Sequence, residues 1–447
     1  MADPIDFYTP DPTVRELLAT HPNLSLDVLS GLMLDGVPLT AIAEEVGTPC
    51  WVISADTLRK RAAQLLGAMK GAGLSVSAHF AVKANGHLAV LKILAESGMG
   101  ADVVSGGELL RARKAGIPAS RIVFSGVGKT DAELRLALEE DIAQINVESA
   151  EELEVLSGVA ASLGREIDVA LRVNPDVDAK THAKITTGVA GNKFGIPYDE
   201  ALGLYRQAQA LPGLKPVGYA VHIGSQILTM EPYRAAYARI AELVRATRAA
   251  GMAVSVVDCG GGLGICYRDE GAGSPQALAG AMRSELGDLD VRLAIEPGRW
   301  IAAPAGVLLA SVILRKAVTG GEPFIILDAA MNDLLRPSLY DAWHGILPLS
   351  AHDAGLAPEA AAIVGPVCES GDMFARNRQL PPLQRGARVA LLDAGAYGSV
   401  MSSTYNARPL AAEVLVDGDR WSVIRPRQSV ESLWASEVMP DGVRVEA

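Results

Sequence analysis

Short apolar runs alternate with longer amphipathic stretches along the chain from about residue 76 to 300. The runs are Ala78–Lys83, Ala101–Ser105, Arg121–Ser125, Gln144–Glu148, Val169–Val173, Gly218–Ile223, Val254–Cys259 and Arg292–Glu296. Each has the length and apolar content of a buried strand. Between them lie segments such as HLAVLKILAES (87–97), GGELLRARKAG (106–116) and SAEELEVLSGVAASLG (149–164). In the last of these, apolar positions recur every three and four residues, the helical period. Strand, helix and strand in regular alternation predict parallel βαβ units. Eight such strands suggest a closed (β/α)8 barrel over residues 51–305, although an open doubly wound sheet is built from the same unit. After residue 305 the pattern changes. GVLLASVILRKAV, PFIILDAAM, AAIVGPVCE, RVALLDAGAYG and AAEVLVDGDRWSVI read as strands punctuated by Gly, Pro and Asp-Gly. They predict a mainly antiparallel C-terminal β domain at 306–447, which residues 1–50 are expected to join.

Composition narrows the possibilities. Hydrophobic residues make up 49% of 447 positions, enough for a large core and a second domain. The longest apolar runs are strand-sized, well below the roughly 20 residues that cross a bilayer, so no membrane association is expected. A formal net charge of −12 argues against a nucleic-acid partner. The opening MADPIDFYTPDPTVREL carries acidic residues and no apolar segment, unlike a signal peptide. Cys50, Cys259, Cys266 and Cys368 show no paired spacing, so neither a disulfide framework nor a metal site is expected. Together these features suggest a cytoplasmic protein.

In such a barrel the chemistry belongs at the carboxyl ends of the strands, and polar residues fall there repeatedly. Lys83 closes the first strand, Arg172 lies in the fifth and His222 ends the sixth. Gly260–Gly262 follow the seventh, and Glu296 with Pro297, Gly298 and Arg299 ends the eighth. A lone lysine in FAVKAN is more often a surface residue beyond a frayed strand; here the other signals converge on the same rim. Burial is expected to lower the Lys83 pKa and make it a nucleophilic amine. The glycines of CGGGLGI can bring backbone amides close to an anion such as a phosphate. A glycine run alone also fits a tight turn, and His222 alone fits a hydrogen-bonded core histidine.

Taken together, these residues resemble the fold-type-III decarboxylases that use pyridoxal 5'-phosphate (PLP), over about residues 45–435. FAVKAN is similar to that family's cofactor-lysine motif, with Phe80 where the family normally has Tyr. HIGSQ (222–226) resembles the cofactor-stacking and phosphate-contacting motif, GGG (260–262) and EPGR (296–299) the cofactor-binding pair. GPVCESGD (365–372) and DAGAYG (393–398) are similar to the late motifs that complete the site. Within the family, MNDLLRPSLYDAWH (331–344) and TTGVAGNKFGI (186–196) are similar to the diaminopimelate decarboxylase pattern.

The resemblance implies PLP on Lys83, stacked on His222 and contacted by Ser225, Gly262, Glu296, Pro297, Gly298, Arg299 and Tyr397. It implies substrate binding by Arg299, Arg336, Tyr340, Glu369 and Tyr397. Glu296 would keep the pyridine nitrogen protonated, which makes the ring an electron sink. Cys368 would return the proton, and Cys368 and Glu369 would act in the partner's site of a homodimer. The segment 188–195 is a candidate lid. The expected reaction converts meso-2,6-diaminopimelate into L-lysine and carbon dioxide, the last step of lysine biosynthesis. Arginine grips carboxylates through paired bonds, and diaminopimelate carries a distal carboxylate that ornithine lacks. The alternatives are a decarboxylase of ornithine, lysine, arginine or carboxynorspermidine, a racemase on the same barrel, and a non-catalytic PLP-binding regulator.

Overall fold

The computed structural model describes residues 11–179, 188 and 193–440. An N-terminal three-stranded sheet, β1 (Leu24–Asp27), β2 (Gly31–Leu34) and β3 (Val37–Pro38), precedes a single strand, β4 (Cys50–Ser54). The barrel follows, with strands β5 (Val76–Ala81), β6 (Gly100–Val103), β7 (Ile122–Phe124), β8 (Gln144–Val147) and β9 (Ile167–Asn174). A two-residue strand, β10 (Ile196–Pro197), lies beside β9. The barrel is completed by β11 (Leu214–Ala220), β12 (Val256–Asp258) and β13 (Arg292–Ile295). Neighbouring barrel strands run parallel, and β13 returns to β5 through Leu293 opposite Val76. Eight strands therefore form a closed barrel, and the open-sheet alternative falls away.

Local chemistry explains where the helices start. Ser105, Thr130, Ser149 and Ser274 stand just before the helices Gly106–Lys114, Asp131–Glu139, Ala150–Leu163 and Pro275–Leu286. Each side-chain oxygen accepts from a backbone N–H of the first turn, satisfying a donor that the helix itself cannot. Thr130 and Glu133 complete a reciprocal capping box. Gly164 ends the longest of the four at φ 61°, where a residue without Cβ carries no steric cost. The helices bury Leu109, Leu134, Leu138, Leu153 and Leu156 in the same core as the largely buried barrel strands.

The second sheet begins with β14 (Gly306–Lys316), which pairs antiparallel with β4 on one edge and with Phe324–Leu327 and Arg388–Leu391 elsewhere along its length. Most pairings in this sheet are antiparallel; the exceptions are β4 with Ala412–Asp417 and Phe324–Leu327 with Glu359–Val364. Residues from the N-terminal sheet, including Leu32, Leu34 and Val37, share one core with Val52, Val307, Leu309 and Val414. The helix Val14–Thr20 leads into His21, whose ring meets Asp393 of the DAGAYG segment.

Candidate active site

Polar side chains gather where the barrel strands end. Lys83 lies on a 3-10 turn (Val82–Ala84) just past β5, not within the strand, and Nζ is 2.9 Å from Asp102 Oδ2 on β6. The expected fall in its pKa is reversed. Desolvation in the barrel mouth does work against the ammonium, but Asp102 and Glu296 outweigh it and hold the pKa above the ordinary lysine value. Burial is legible in the sequence around Lys83; the carboxylate on the next strand is not.

Glu296 follows β13 and is buried. Its Oε1 accepts from Asn146 Nδ2 at 3.2 Å and Ser125 Oγ at 3.3 Å. Burial, with the like charges of Asp102 and Asp258, raises its pKa well above the usual carboxyl range. A cation placed against this carboxyl would relieve that cost.

His222 sits two residues beyond β11, and its Nδ1 accepts from the Gly261 N–H at 3.2 Å. Burial, assisted by the charge of Arg172, holds its pKa well below 6.5, so the ring is neutral. Arg172 in β9 turns instead to Glu148, 2.7 Å away, which also accepts from the Gly126 and Gly195 amides. The glycines beside His222 form a cradle. At Gly262, φ is +103° and a Cβ would come within 2.4 Å of the Gly224 carbonyl oxygen. At Gly298 a Cβ would crowd Ala84, Ala81 and the Tyr397 hydroxyl.

A second group centres on Tyr267. Arg299 donates from Nη1 to the Tyr267 hydroxyl at 2.7 Å, and from Nε and Nη2 to Ser225 Oγ at 3.3 and 3.0 Å. Its guanidinium also lies 4.9 Å from the Tyr397 ring centre. Arg336 stacks on the other aromatic partner, 4.9 Å from the Tyr267 ring centre, and donates from Nη1 to His344 Nε2 at 2.8 Å. Arg299 and Arg336 are only 8% and 5% exposed, yet neither forms an ion pair with a carboxylate among the described residues. Two buried cations held by neutral groups are costly unless an anion joins them. Tyr397, at φ +55°, is fixed by its N–H bond to the Ala84 carbonyl, one residue from Lys83.

Cys368 and Glu369 do not take part in these contacts. Both are exposed on the loop after Glu359–Val364 and make no hydrogen bond or ion pair with Lys83, Arg299 or Arg336 of the same chain. Ser338 donates to the Gly371 carbonyl at 2.7 Å, tying that loop to the helix Arg336–Tyr340. Of the candidate lid, residues 189–192 fall outside the described residues. Among the described residues no helix is long and apolar enough to cross a membrane, and no cluster of metal-ligating side chains occurs.

Comparison with known proteins decides the family. Residues 55–303 match the family model described as the pyridoxal-dependent decarboxylase, pyridoxal binding domain. The diaminopimelate decarboxylase of Zymomonas mobilis is 49% identical over 91% of this chain and 96% of its own length. The chain belongs to the diaminopimelate decarboxylase family. Its Aquifex aeolicus member is 44% identical over 90% of this chain and 94% of its own. Among solved structures, diaminopimelate decarboxylase from Helicobacter pylori complexed with L-lysine matches with TM-score 0.85 and 39% identity, covering 89% of this chain and 99% of that one. The M. jannaschii enzyme, also in complex with L-lysine, matches with TM-score 0.88 and 33% identity over 94% and 99%.

The cofactor of this family is PLP, and the donor set fits it: an amine, a buried carboxyl, a neutral ring, a glycine cradle, and a buried arginine beside a serine hydroxyl. Several members of the cluster are not marked by the sequence alone. Asp102 and Asp258 stood inside apolar strands, where a buried acid is itself a signal. Ser125, Asn146, Tyr267 and His344 carried no separate mark, although His344 closes the MNDLLRPSLYDAWH motif.

Proposed function

We propose that this diaminopimelate decarboxylase family member removes one carboxylate from meso-2,6-diaminopimelate to give L-lysine and carbon dioxide, completing lysine biosynthesis. The observation that carries this reading is the pair of buried guanidiniums, Arg299 and Arg336, both held against Tyr267 and neither ion-paired with a carboxylate among the described residues. Diaminopimelate brings a second carboxylate to a site that already holds its cofactor's phosphate; ornithine does not.

PLP supplies the electron sink that accepts the pair released when the carbon–carboxylate bond breaks. Lys83 would hold it covalently, and His222 would cover its ring. Ser225, Gly262, Pro297, Gly298, Arg299 and Tyr397 would line its phosphate end. Glu296, with its carboxyl pushed toward the protonated form, would sit at the pyridine nitrogen and share the proton held there. Arg336 and Tyr340, with Arg299 and Tyr397, would orient the substrate's distal end. That would leave the other carboxylate to be lost at the barrel mouth, beside Lys83 and Glu296.

The same reading makes the protein a cytoplasmic homodimer. Cys368 and Glu369 are exposed in the single chain, which suits residues that serve a second copy. There the Cys368 thiol would deliver a proton to the carbon that lost its carboxylate, and Glu369 would receive the distal ammonium. The reading also divides the chain into an N-terminal segment (1–50) joined to a C-terminal β domain (306–447), with the barrel domain (51–305) between them. Cys50–Ser54 is a strand of the β domain's sheet.

The test is carbon dioxide release by the PLP-loaded protein from meso-diaminopimelate, L-lysine, L-ornithine, D-ornithine and L-arginine. Release from diaminopimelate alone, with lysine formed in equal amount, supports the proposal. Release from ornithine alone overturns the role of Arg336 and keeps the cofactor chemistry.

A further inference from the structure

Arg336 needs to be held for its charge to meet a carboxylate in a fixed direction. A guanidinium on a short helix has several rotamers, and Tyr267 constrains only its face. Its edge is set by His344. That ring is buried (2% exposed) and makes two hydrogen bonds with opposite demands. Nδ1 lies 2.7 Å from the Leu392 carbonyl oxygen, which can only accept, so Nδ1 carries the proton. Nε2 lies 2.8 Å from Arg336 Nη1, which can only donate, so Nε2 offers a lone pair. One neutral tautomer satisfies both. The backbone of His344 is held in turn, because Arg378 Nη1 donates to its carbonyl at 2.7 Å. The Tyr267 ring meets the imidazole edge-on at 5.6 Å, so Tyr267, Arg336 and His344 form one packed unit. The other Arg336 N–H groups bond to no described residue and remain for a ligand.

We infer that His344 is a positioning residue: as a neutral imidazole it orients Arg336 against Tyr267 so that the guanidinium's free N–H groups face the substrate's distal carboxylate. This inference rests on the carboxylate-binding role proposed for Arg336. Burial and the neighbouring Arg336 charge hold the His344 pKa well below 6.5, consistent with the tautomer that the bonds require.

The test uses the PLP-loaded protein and a ligand that isolates the distal end. Removing one carboxylate from diaminopimelate leaves L-lysine, whose amino-acid end is the distal end of the substrate. 1,5-Diaminopentane has the same chain without the carboxylate. Calorimetric titration of His344→Ala should show L-lysine binding weakened about tenfold or more while 1,5-diaminopentane changes by less than about twofold. His344→Gln, which places an acceptor oxygen near the Nε2 position, should recover most of the loss. The KM for diaminopimelate should rise in the alanine variant with kcat much less affected.

Equal weakening of both ligands, or unchanged lysine binding, overturns the inference. Arg336→Gln separates the two layers of the argument. If that variant binds lysine normally, the reading of Arg336 itself fails. If it binds poorly while His344→Ala binds well, only the positioning role fails. Nitrogen NMR of the wild-type protein adds a check that needs no substitution: His344 must be neutral with its proton on Nδ1, and a proton on Nε2 rules the mechanism out.

Discussion

Lys83 and Asp102 meet at 2.9 Å across two neighbouring strands of the barrel, one on the turn after β5 and the other within β6. Asp102 is fully buried, and its second carboxylate oxygen has no partner among the described residues. The lysine is therefore kept as an ammonium until something displaces the carboxylate. Asp102→Asn removes the largest of the attractions that hold the Lys83 pKa up, leaving Glu296 and Tyr397 to oppose desolvation. The expected outcome is cofactor capture by the apoprotein at lower pH than in the wild type, followed by the absorbance of the lysine-bound cofactor. An unchanged pH profile would mean that Asp102 does not govern the amine.

Glu296→Gln replaces a carboxyl whose proton the site strains to keep with an amide that cannot share one. The cofactor should still bind through Lys83, because that bond does not involve Glu296. The kcat for diaminopimelate should fall on the order of a hundredfold or more, as for loss of a proton-handling group. Wild-type kcat in a folded, cofactor-loaded variant would remove Glu296 from the chemistry.

His21 differs from His344 in a way that pH can expose. Its Nδ1 faces the Leu17 carbonyl at 2.7 Å and its Nε2 faces Asp393 at 2.8 Å, two acceptors that call for a doubly protonated ring. Burial opposes that charge, but Asp393 prevails and the pKa stands above 6.5. A raised folded-state pKa gives stability that is complete below the unfolded value and is lost as pH rises through the folded one. His21→Ala should therefore cost on the order of 2 kcal/mol near pH 6, and clearly less near pH 9. Denaturant unfolding of both proteins at the two pH values measures the gap. A gap that widens in alkali contradicts the charged pair.

Mixing two inactive proteins tests the shared site. Lys83→Ala should lack the lysine-bound cofactor band, and Cys368→Ala should keep it while turning over slowly. If each site draws Lys83 from one copy and Cys368 from the other, a hybrid dimer restores one intact site. Equal mixing with free exchange should return roughly a quarter of wild-type activity. No recovery after exchange would place both residues in the same copy.

Much of the barrel and the position of its rim could be read from the chain, because a strand buried on both faces leaves an unbroken apolar run and its end is marked by the next polar residue. Glu296 and the glycines at 260–262 stood out for that reason. Partnerships across strands did not. Asp102 faces Lys83 only because β6 pairs with β5 in a register that places Ala81 opposite Asp102, and no local pattern encodes that register. The direction of the Lys83 pKa is hidden from the sequence for the same reason. The Tyr267, Arg336 and His344 unit joins a loop after β12 to a helix and turn of the β region, and it exists only once the two layers dock. Nor does an apolar pentapeptide before a helix, Cys50–Ser54, show by itself which of the two sheets it will join.

That strand has a further consequence. β4 lies between β14 and Ala412–Asp417, so the middle of the second sheet is built from both ends of the chain, with the whole barrel threaded between them. During synthesis β4 emerges early and has no neighbour to pair with until Gly306 and then Ala412 have left the ribosome. Every barrel strand has its partners by the time Ile295 is made, before either neighbour of β4 exists. Deleting either Cys50–Ser54 or Ala412–Asp417 therefore opens the same seam, although the two segments lie far apart in the chain.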